Sequence, residues 1–254
     1  MSNHIDLNAD IGEANTPEWA ASERAILSYI SSANIACGGH AGDMQSMDNT
    51  VKSARAHDIS IGAHPSFPDR KNFGRLELTL GEDITAPDLA ESLYTQICRL
   101  MDISKGEVKY IKPHGALYNQ AVRSDAFAAL IGDVILRVDS DLYWLGGPRS
   151  KMTQAAHERG LTFIAEGFID RQYDDHGHLV SRRLEGAIIS SHADRITQAI
   201  SLAKSGEVIT RSGQSLSISA GSLCVHGDSA GAVETARTAR LALEAEGLTI
   251  RAFA

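Results

Sequence analysis

Short apolar runs recur along the chain at near-regular intervals, and most of them end in polar or small residues. HIDLNAD, SANIACGGH, ISIGAHP, VKYIKPH, LYWLGG, TFIAEGF and LCVHGD read as strands. Their apolar content suits strands buried on both faces, as in a parallel sheet. Between them the apolar spacing becomes helical. Thr16-Pro17-Glu18 supplies an N-cap, a first-turn proline and a first-turn acid. Asp43 begins a predicted helix that runs to His57, with Met47, Val51 and Ala54 on one face. Residues 86–103, 124–138, 150–159, 192–204 and 229–246 read likewise, with Thr85 and Ser124 as caps and Gly160 and Gly247 as stops.

Strands alternating with helices predict a parallel α/β fold. Two stretches break the rhythm. Residues 170–190 form a long excursion with a turn near Asp175–Gly177, and residues 207–219 read as a hairpin turning at Ser212-Gly213. Neither is long enough to be a domain, so residues 1–254 are expected to form one. Periodicity does not separate a closed barrel from an open doubly wound sheet. The polar residues do: they close nearly every strand. In a barrel all those ends open on one mouth, whereas an open sheet would string them along an edge. The expected architecture is therefore a barrel.

Composition narrows the class of function. Hydrophobic residues make up 43% of the chain and charged residues 22%, a balance that supports a large core and argues against disorder. The formal net charge of -8 argues against nucleic acid or an anionic membrane as main partner. Three cysteines, Cys37, Cys98 and Cys224, with no CxxC pair, do not make a disulfide framework, so a cytoplasmic location is expected. The opening MSNHIDLNAD lacks the basic start and apolar run of a signal peptide, and no run is long enough to span a bilayer.

The candidate chemistry sits at the strand ends. Asp6, Asn8 and Asp10 alternate and so share one face of the first strand. Three buried polar groups are costly unless they pair or bind something. Asp10 and Glu13 near the mouth can act as base and metal ligand, or as a proton-sharing pair. Asn34, His40 and Asp43 follow in ANIACGGHAGD, where Asp43 has the plainer alternative role of a helix cap. His64, His114 and His226 close three further strands, a placement that suits acid–base chemistry or metal ligation, although no HExxH spacing is present. Lys112 shares a face with His114, and Tyr118 and Asn119 are candidate substrate donors, unless they simply open a helix. EGFIDRQY adds Glu166, Asp170 and Arg171, FGR adds Arg75, and CVHGD adds Asp228. LGGPRSKM is a basic helix start that can cradle an anion. GxxxxGK[ST], GxGxxG and GxSxG are all absent. Cys37 and Cys224 read as small buried residues.

Taken together, DLNADIGE, SANIACGGHAGD, IGAHPSFPD, FGR, KPHGALYN, EGFIDRQY with GHLVSR, and CVHGD resemble the LamB/YcsF family, described as the A component of 5-oxoprolinase. The stretches occur in family order and span almost the whole chain. The resemblance implies a distorted seven-stranded β/α barrel, similar to the glycoside hydrolase/deacetylase barrels. It implies a part in the ATP-dependent opening of 5-oxoproline to L-glutamate, with partner subunits B and C. Lys112 and Arg75 would then serve anions, Asp10 or Glu13 would be the base, and His114 an acid or oxyanion donor. The chain departs from the family pattern at Ala14–Arg24, at Asn72–Leu76 and after Asp43.

Two other functions compete. One is a stand-alone metal-dependent hydrolase or deacetylase, with Asp10, His40 and His64 holding a divalent metal. The other is a non-catalytic subunit that binds a small carboxylate. The density of titratable groups at strand ends favours an enzyme. Whether the chain forms a homo-oligomer is left open by the sequence.

Overall fold

The structure, a computed structural model, describes residues 3–227 and 231–254, so the candidate Asp228 lies outside the described residues. In chain order the elements are β1 (His4–Ile11), α1 (Pro17–Ile26), β2 (Ser32–Ala36), α2 (Met44–Ala56), β3 (Ser60–His64), α3 (Ala86–Ser104), β4 (Val108–Ile111), α4 (Gly115–Arg123), α5 (Asp125–Val138), β5 (Tyr143–Gly146), α6 (Lys151–Glu158), β6 (Phe163–Phe168), α7 (His192–Lys204), β7 (Glu207–Ile209), β8 (Ser215–Ser217), β9 (Ser222–Val225), α8 (Ala232–Ala245) and β10 (Thr249–Ile250). Strands β1 to β6 and then β9 pair in parallel, and β9 pairs back onto β1, with Asp6 opposite Ser222 and Ala9 opposite Val225. The ring is a closed seven-stranded parallel barrel, a TIM-like α/β fold.

Local chemistry explains why the elements start where they do. The Thr16, Thr85, Ser150 and Ser191 hydroxyls accept backbone N–H bonds at the starts of α1, α3, α6 and α7. Asp43 forms a reciprocal capping box with Ser46. Ser124 occupies the cap position of α5 but makes no side-chain cap bond. It instead interrupts two successive helices with one extended residue, φ −116° and ψ 121°, so α4 is a helix beyond those the spacing predicts. The strand predicted over SANIACGGH stops pairing at Ala36, and residues 37–43 form a loop. β10 has two residues, too few for an apolar pattern to announce it.

Two kinds of packing meet at the strands. Outward residues such as Leu7, Ala33, Ile35 and Leu223 are buried among helix residues such as Met47, Val51 and Ala236 in one apolar cluster. On α3, Leu89, Leu93, Ile97 and Leu100 recur at helical spacing and are all buried. Burying one such side chain stabilises the fold by roughly 1.5–3 kcal/mol. The tail beyond β10 caps the amino-terminal end, where the Phe253 ring lies 5.0 Å from Tyr110 and 5.9 Å from Tyr143.

The two interruptions also take shape. Residues 170–190 fold back through antiparallel bridges at Arg171–Ile188 and Tyr173–Leu179, and β7 and β8 form the hairpin. Asp175 Oδ1 joins the two by accepting the Thr210 and Ser212 hydroxyls, each at 2.6 Å. Among the described residues no helix is long and apolar enough to cross a membrane.

Candidate active site

The interior of the barrel is polar. Ser31, Ser32 and Ser222 donate to the Asp6 carboxylate. Asn8 Nδ2 donates to Ser222 Oγ at 2.7 Å, and Asn34 Nδ2 donates to Asn8 Oδ1 at 2.7 Å and to Asp10 Oδ1 at 2.8 Å. Tyr110 closes this ladder by donating its hydroxyl to Asn34 Oδ1 at 2.7 Å. Burial pushes the Asp6 carboxyl up to about 6 despite its three hydroxyl donors.

Lys112 follows β4, which is not a neighbour of β1, β6 or β9 except across the barrel. Its ammonium lies 2.8 Å from Asp10 Oδ1, 2.9 Å from Glu166 Oε1, 3.3 Å from Asn8 Oδ1 and 3.2 Å from Cys224 Sγ. Two carboxylates therefore neutralise it inside the barrel. Lys112, expected as an anion donor, is in this structure the internal counter-ion that lets Asp10 and Glu166 be buried. Burial would raise the Asp10 carboxyl, but His64 and Lys112 hold it well below the usual carboxylate range.

Above this ladder four side chains converge: His64 is the last residue of β3, and Glu13, His40 and His114 follow the ends of β1, β2 and β4. Glu13 Oε1 lies 2.8 Å from His40 Nε2, 3.1 Å from His114 Nδ1 and 3.7 Å from His64 Nε2. The His40 and His114 rings stack at 3.6 Å with 3° between their planes, and His64 stands edge-on to both. The other ring nitrogens fix the tautomers. His64 Nδ1 donates to Lys112 O at 2.7 Å and His114 Nε2 to Phe73 O at 3.0 Å, because a carbonyl only accepts. If both rings are neutral, His64 Nε2 and His114 Nδ1 then face each other as bare lone pairs, 3.0 Å apart. Such a contact needs a positive species between the two nitrogens: a proton or a metal ion.

The protonation pattern agrees. Burial disfavours charge on His64, but Asp10 outweighs it and raises the ring's affinity for a proton. Burial lowers His114, and it lowers His40 to about 3. The donor set also fits a divalent metal. Three imidazole nitrogens and one carboxylate oxygen lie within 4.8 Å of one another. Two of the imidazoles are oriented by backbone carbonyls, as ligating histidines usually are. The set is Glu13, His40, His64 and His114; it contains His40 and His64 of the expected trio, and Asp10 borders it with Oδ2 3.4 Å from His64 Nε2.

The remaining candidates divide. His226 Nδ1 sits 2.8 and 2.9 Å from the two Asp170 oxygens, and its ring stacks on Phe168. Burial would raise Asp170, but His226 holds it low. Asp10, Cys224 and His226 form a second close group, so the dyad borders the lysine ladder. The Tyr118 hydroxyl is buried and pushed well up, first by burial and then by the Glu166 charge. Arg171 is buried, and its Nη2 donates to Val180 O at 2.7 Å, which pins the 170–190 excursion. Asn8 and Asn34 are fully buried members of the ladder. Asn119 is exposed on α4, where its carbonyl accepts from Arg123 Nε at 3.2 Å. Arg75 is exposed at the rim, its guanidinium 4.8 Å above the Phe73 ring.

Phe73 was not singled out by sequence reasoning, yet it meets His40 and His114 edge-on at 5.2 and 5.3 Å. Gly74 beside it has φ +61°, and a Cβ there would stand 3.0 Å from His40 Cβ and 3.1 Å from His114 Cδ2. The FGR motif is thus a lid on the histidines, and the glycine is what lets it close. Nothing in hydropathy marks this, because the contact is between residues far apart in the chain.

Known proteins share this arrangement of sequence and fold. Residues 5–254 match the LamB/YcsF family. A protein of Agrobacterium fabrum, named as the first of its 5-oxoprolinase A components, is 40% identical over 253 residues, covering 98% of each chain. The chain belongs to the LamB/YcsF family. The 5-oxoprolinase A component of Shouchella clausii is 39% identical, again over 98% of both chains. The crystal structure of a lactam utilization protein from Thermus thermophilus superposes with a TM-score of 0.88 at 33% identity, covering 98% of this chain and all of that one. The Xyl-CE4 domain of a multidomain xylanase, at 11% identity and a TM-score of 0.51, shares the fold alone. The names of the two bacterial relatives, each one lettered component of an enzyme, place those proteins in complexes of several subunits.

Proposed function

We propose that this chain is the lactam-handling component of a cytoplasmic 5-oxoprolinase, which hydrolyses 5-oxo-L-proline to L-glutamate at the expense of ATP, together with subunits B and C. The observation that carries the reading is the gathering of Asp10, Glu13, His40, His64, His114, Asp170 and His226 at one mouth, in a chain whose relatives are named for this activity. A five-membered lactam is resonance-stabilised and a poor electrophile. Phosphorylating its oxygen makes a leaving group. The terminal phosphoryl comes from ATP, and ADP departs. Water then adds to the carbonyl carbon, and the ring C–N bond breaks with the nitrogen taking up a proton. A second water displaces inorganic phosphate from the acyl phosphate so formed, leaving L-glutamate. ATP enters this scheme as a co-substrate of the assembled enzyme.

The residues divide the work. His226, oriented by Asp170 through Nδ1, carries the proton. Asp10 stays ionised beside Lys112 and fixes the charge pattern around the reacting carbon. Glu13, His40, His64 and His114 would hold a divalent cation, which would supply Lewis acidity toward a carbonyl oxygen. Arg75 at the rim is a donor for the substrate or phosphate anion.

A second reading, a metal-dependent hydrolase acting without ATP, is favoured by the same histidine–carboxylate set. Glutamate release from 5-oxoproline, measured with the purified chain alone and with subunits B and C, with and without ATP, separates the two. ATP-dependent glutamate only in the full assembly supports the proposal. Glutamate formed by the chain alone without ATP supports the second reading and overturns the first.

A further inference from the structure

The loop that carries Glu13 is held from behind by a residue outside the cluster. Glu23, 6% exposed on α1, accepts the Gly12 N–H on Oε2 and the Glu13 N–H on Oε1, each at 2.9 Å. Gly12 has φ +81°, a left-handed turn that aims its N–H and the next one at the same point, as in an anion-binding nest. Among the described residues Glu23 forms no ion pair. It also lines a cavity of about 170 Å³ between α1 and α2, shared with Arg24, Asn49 and Thr50. A buried carboxylate without a cation is costly, and its bonds go only to the backbone of this loop. The Glu13 side chain enters the cluster, 2.8 Å from His40 and 3.1 Å from His114.

We infer that Glu23 is a positioning residue for the cation cluster: it clamps the Gly12–Glu13 backbone so that the Glu13 carboxylate is held between His40 and His114. This rests on the reading of that cluster as a divalent-cation site. Among the described residues no hydrogen bond joins the side chains of Glu18 or Arg24, its neighbours on α1, to this loop.

Glu23→Gln tests it. The amide keeps the size of the side chain but turns an NH2 toward a backbone N–H, so one of the two bonds is lost. In the metal-free protein the ring-nitrogen resonances of His40 and His114 should shift, while those of His226, held by Asp170, stay in place. With Co2+ as the probe, the affinity should fall about tenfold or more and the visible absorption band should change shape. The double variant Glu13→Ala/Glu23→Gln should bind Co2+ no more weakly than Glu13→Ala alone, because both changes act through one carboxylate. Unchanged ring resonances, or additive losses in the double variant, overturn the inference. A wild-type chain that takes up no Co2+ overturns the cation reading instead, and the ring resonances alone then decide the role of Glu23. Should Glu23→Gln fail to fold, Glu23→Asp keeps both oxygens one methylene further back, and the same resonances are compared.

Discussion

At the scale of single residues, the barrel interior shows how burial and pairing compete. Asp6 has three hydroxyl donors and no adjacent cation, and its carboxyl is raised to about 6. Asp10, four residues on, has Lys112 and a histidine, and is held low. For Asp6 the sign of the linkage is clear. In the unfolded chain it titrates near 3.8, so between about 3.8 and 6 the folded state keeps a proton that the unfolded state has lost. Its contribution is fully present below that window and is lost as pH rises through it, by up to about 3 kcal/mol. Asp6→Asn removes the titration. The difference in urea unfolding free energy, wild type minus variant, should therefore fall steadily from about pH 4 to about pH 6.5. A flat difference would show that Asp6 ionises normally. The alternation of Asp6, Asn8 and Asp10 made this column legible in the sequence, but not its partners, since Lys112 reaches it from the far side of the barrel.

At the scale of elements, the strands were the most legible feature. Each predicted strand corresponds to one of the seven in the ring, because runs buried on both faces carry their signal locally. The boundary of α4 was not legible, because a single extended serine separates it from α5. The loop 73–75 was legible only as an arginine, whereas its packing resides in Phe73 and Gly74. Gly74→Ala tests that assignment. The new Cβ would enter a left-handed turn against His40 and His114, and we expect a loss of about 1–3 kcal/mol in stability. Co2+ affinity should fall with it, whereas Gly81→Ala, also at positive φ but with open space around its Cβ, should lose stability and leave Co2+ affinity unchanged. Equal effects on affinity at both positions would remove the special role of the lid.

At the scale of the whole molecule, the ring of parallel strands brings side chains from residues 10 to 226 to one mouth, as the polar strand ends predict for a barrel. Which of them would touch was not legible. Glu13 and His114, read as base and acid, belong with His40 and His64, while Asp10 turns toward Lys112. A cation bound by the folded state and not by the unfolded chain stabilises the fold by mass action. Saturating Co2+ should accordingly raise the melting temperature of wild type and leave Glu13→Gln or His64→Gln where they were. A shift of equal size in all three proteins would place the cation elsewhere.

If the carboxylates and imidazoles of this mouth perform the turnover, removing one charge among them slows it. Asp10→Asn addresses it most directly, since the amide keeps the shape and an oxygen for Lys112 but removes the charge. Glutamate formation from 5-oxoproline and ATP is measured in the full assembly, with the fold of the variant checked by circular dichroism. The expected result is an intact fold and a rate lower by about 10²-fold or more. An intact variant that turns over at the wild-type rate would contradict it.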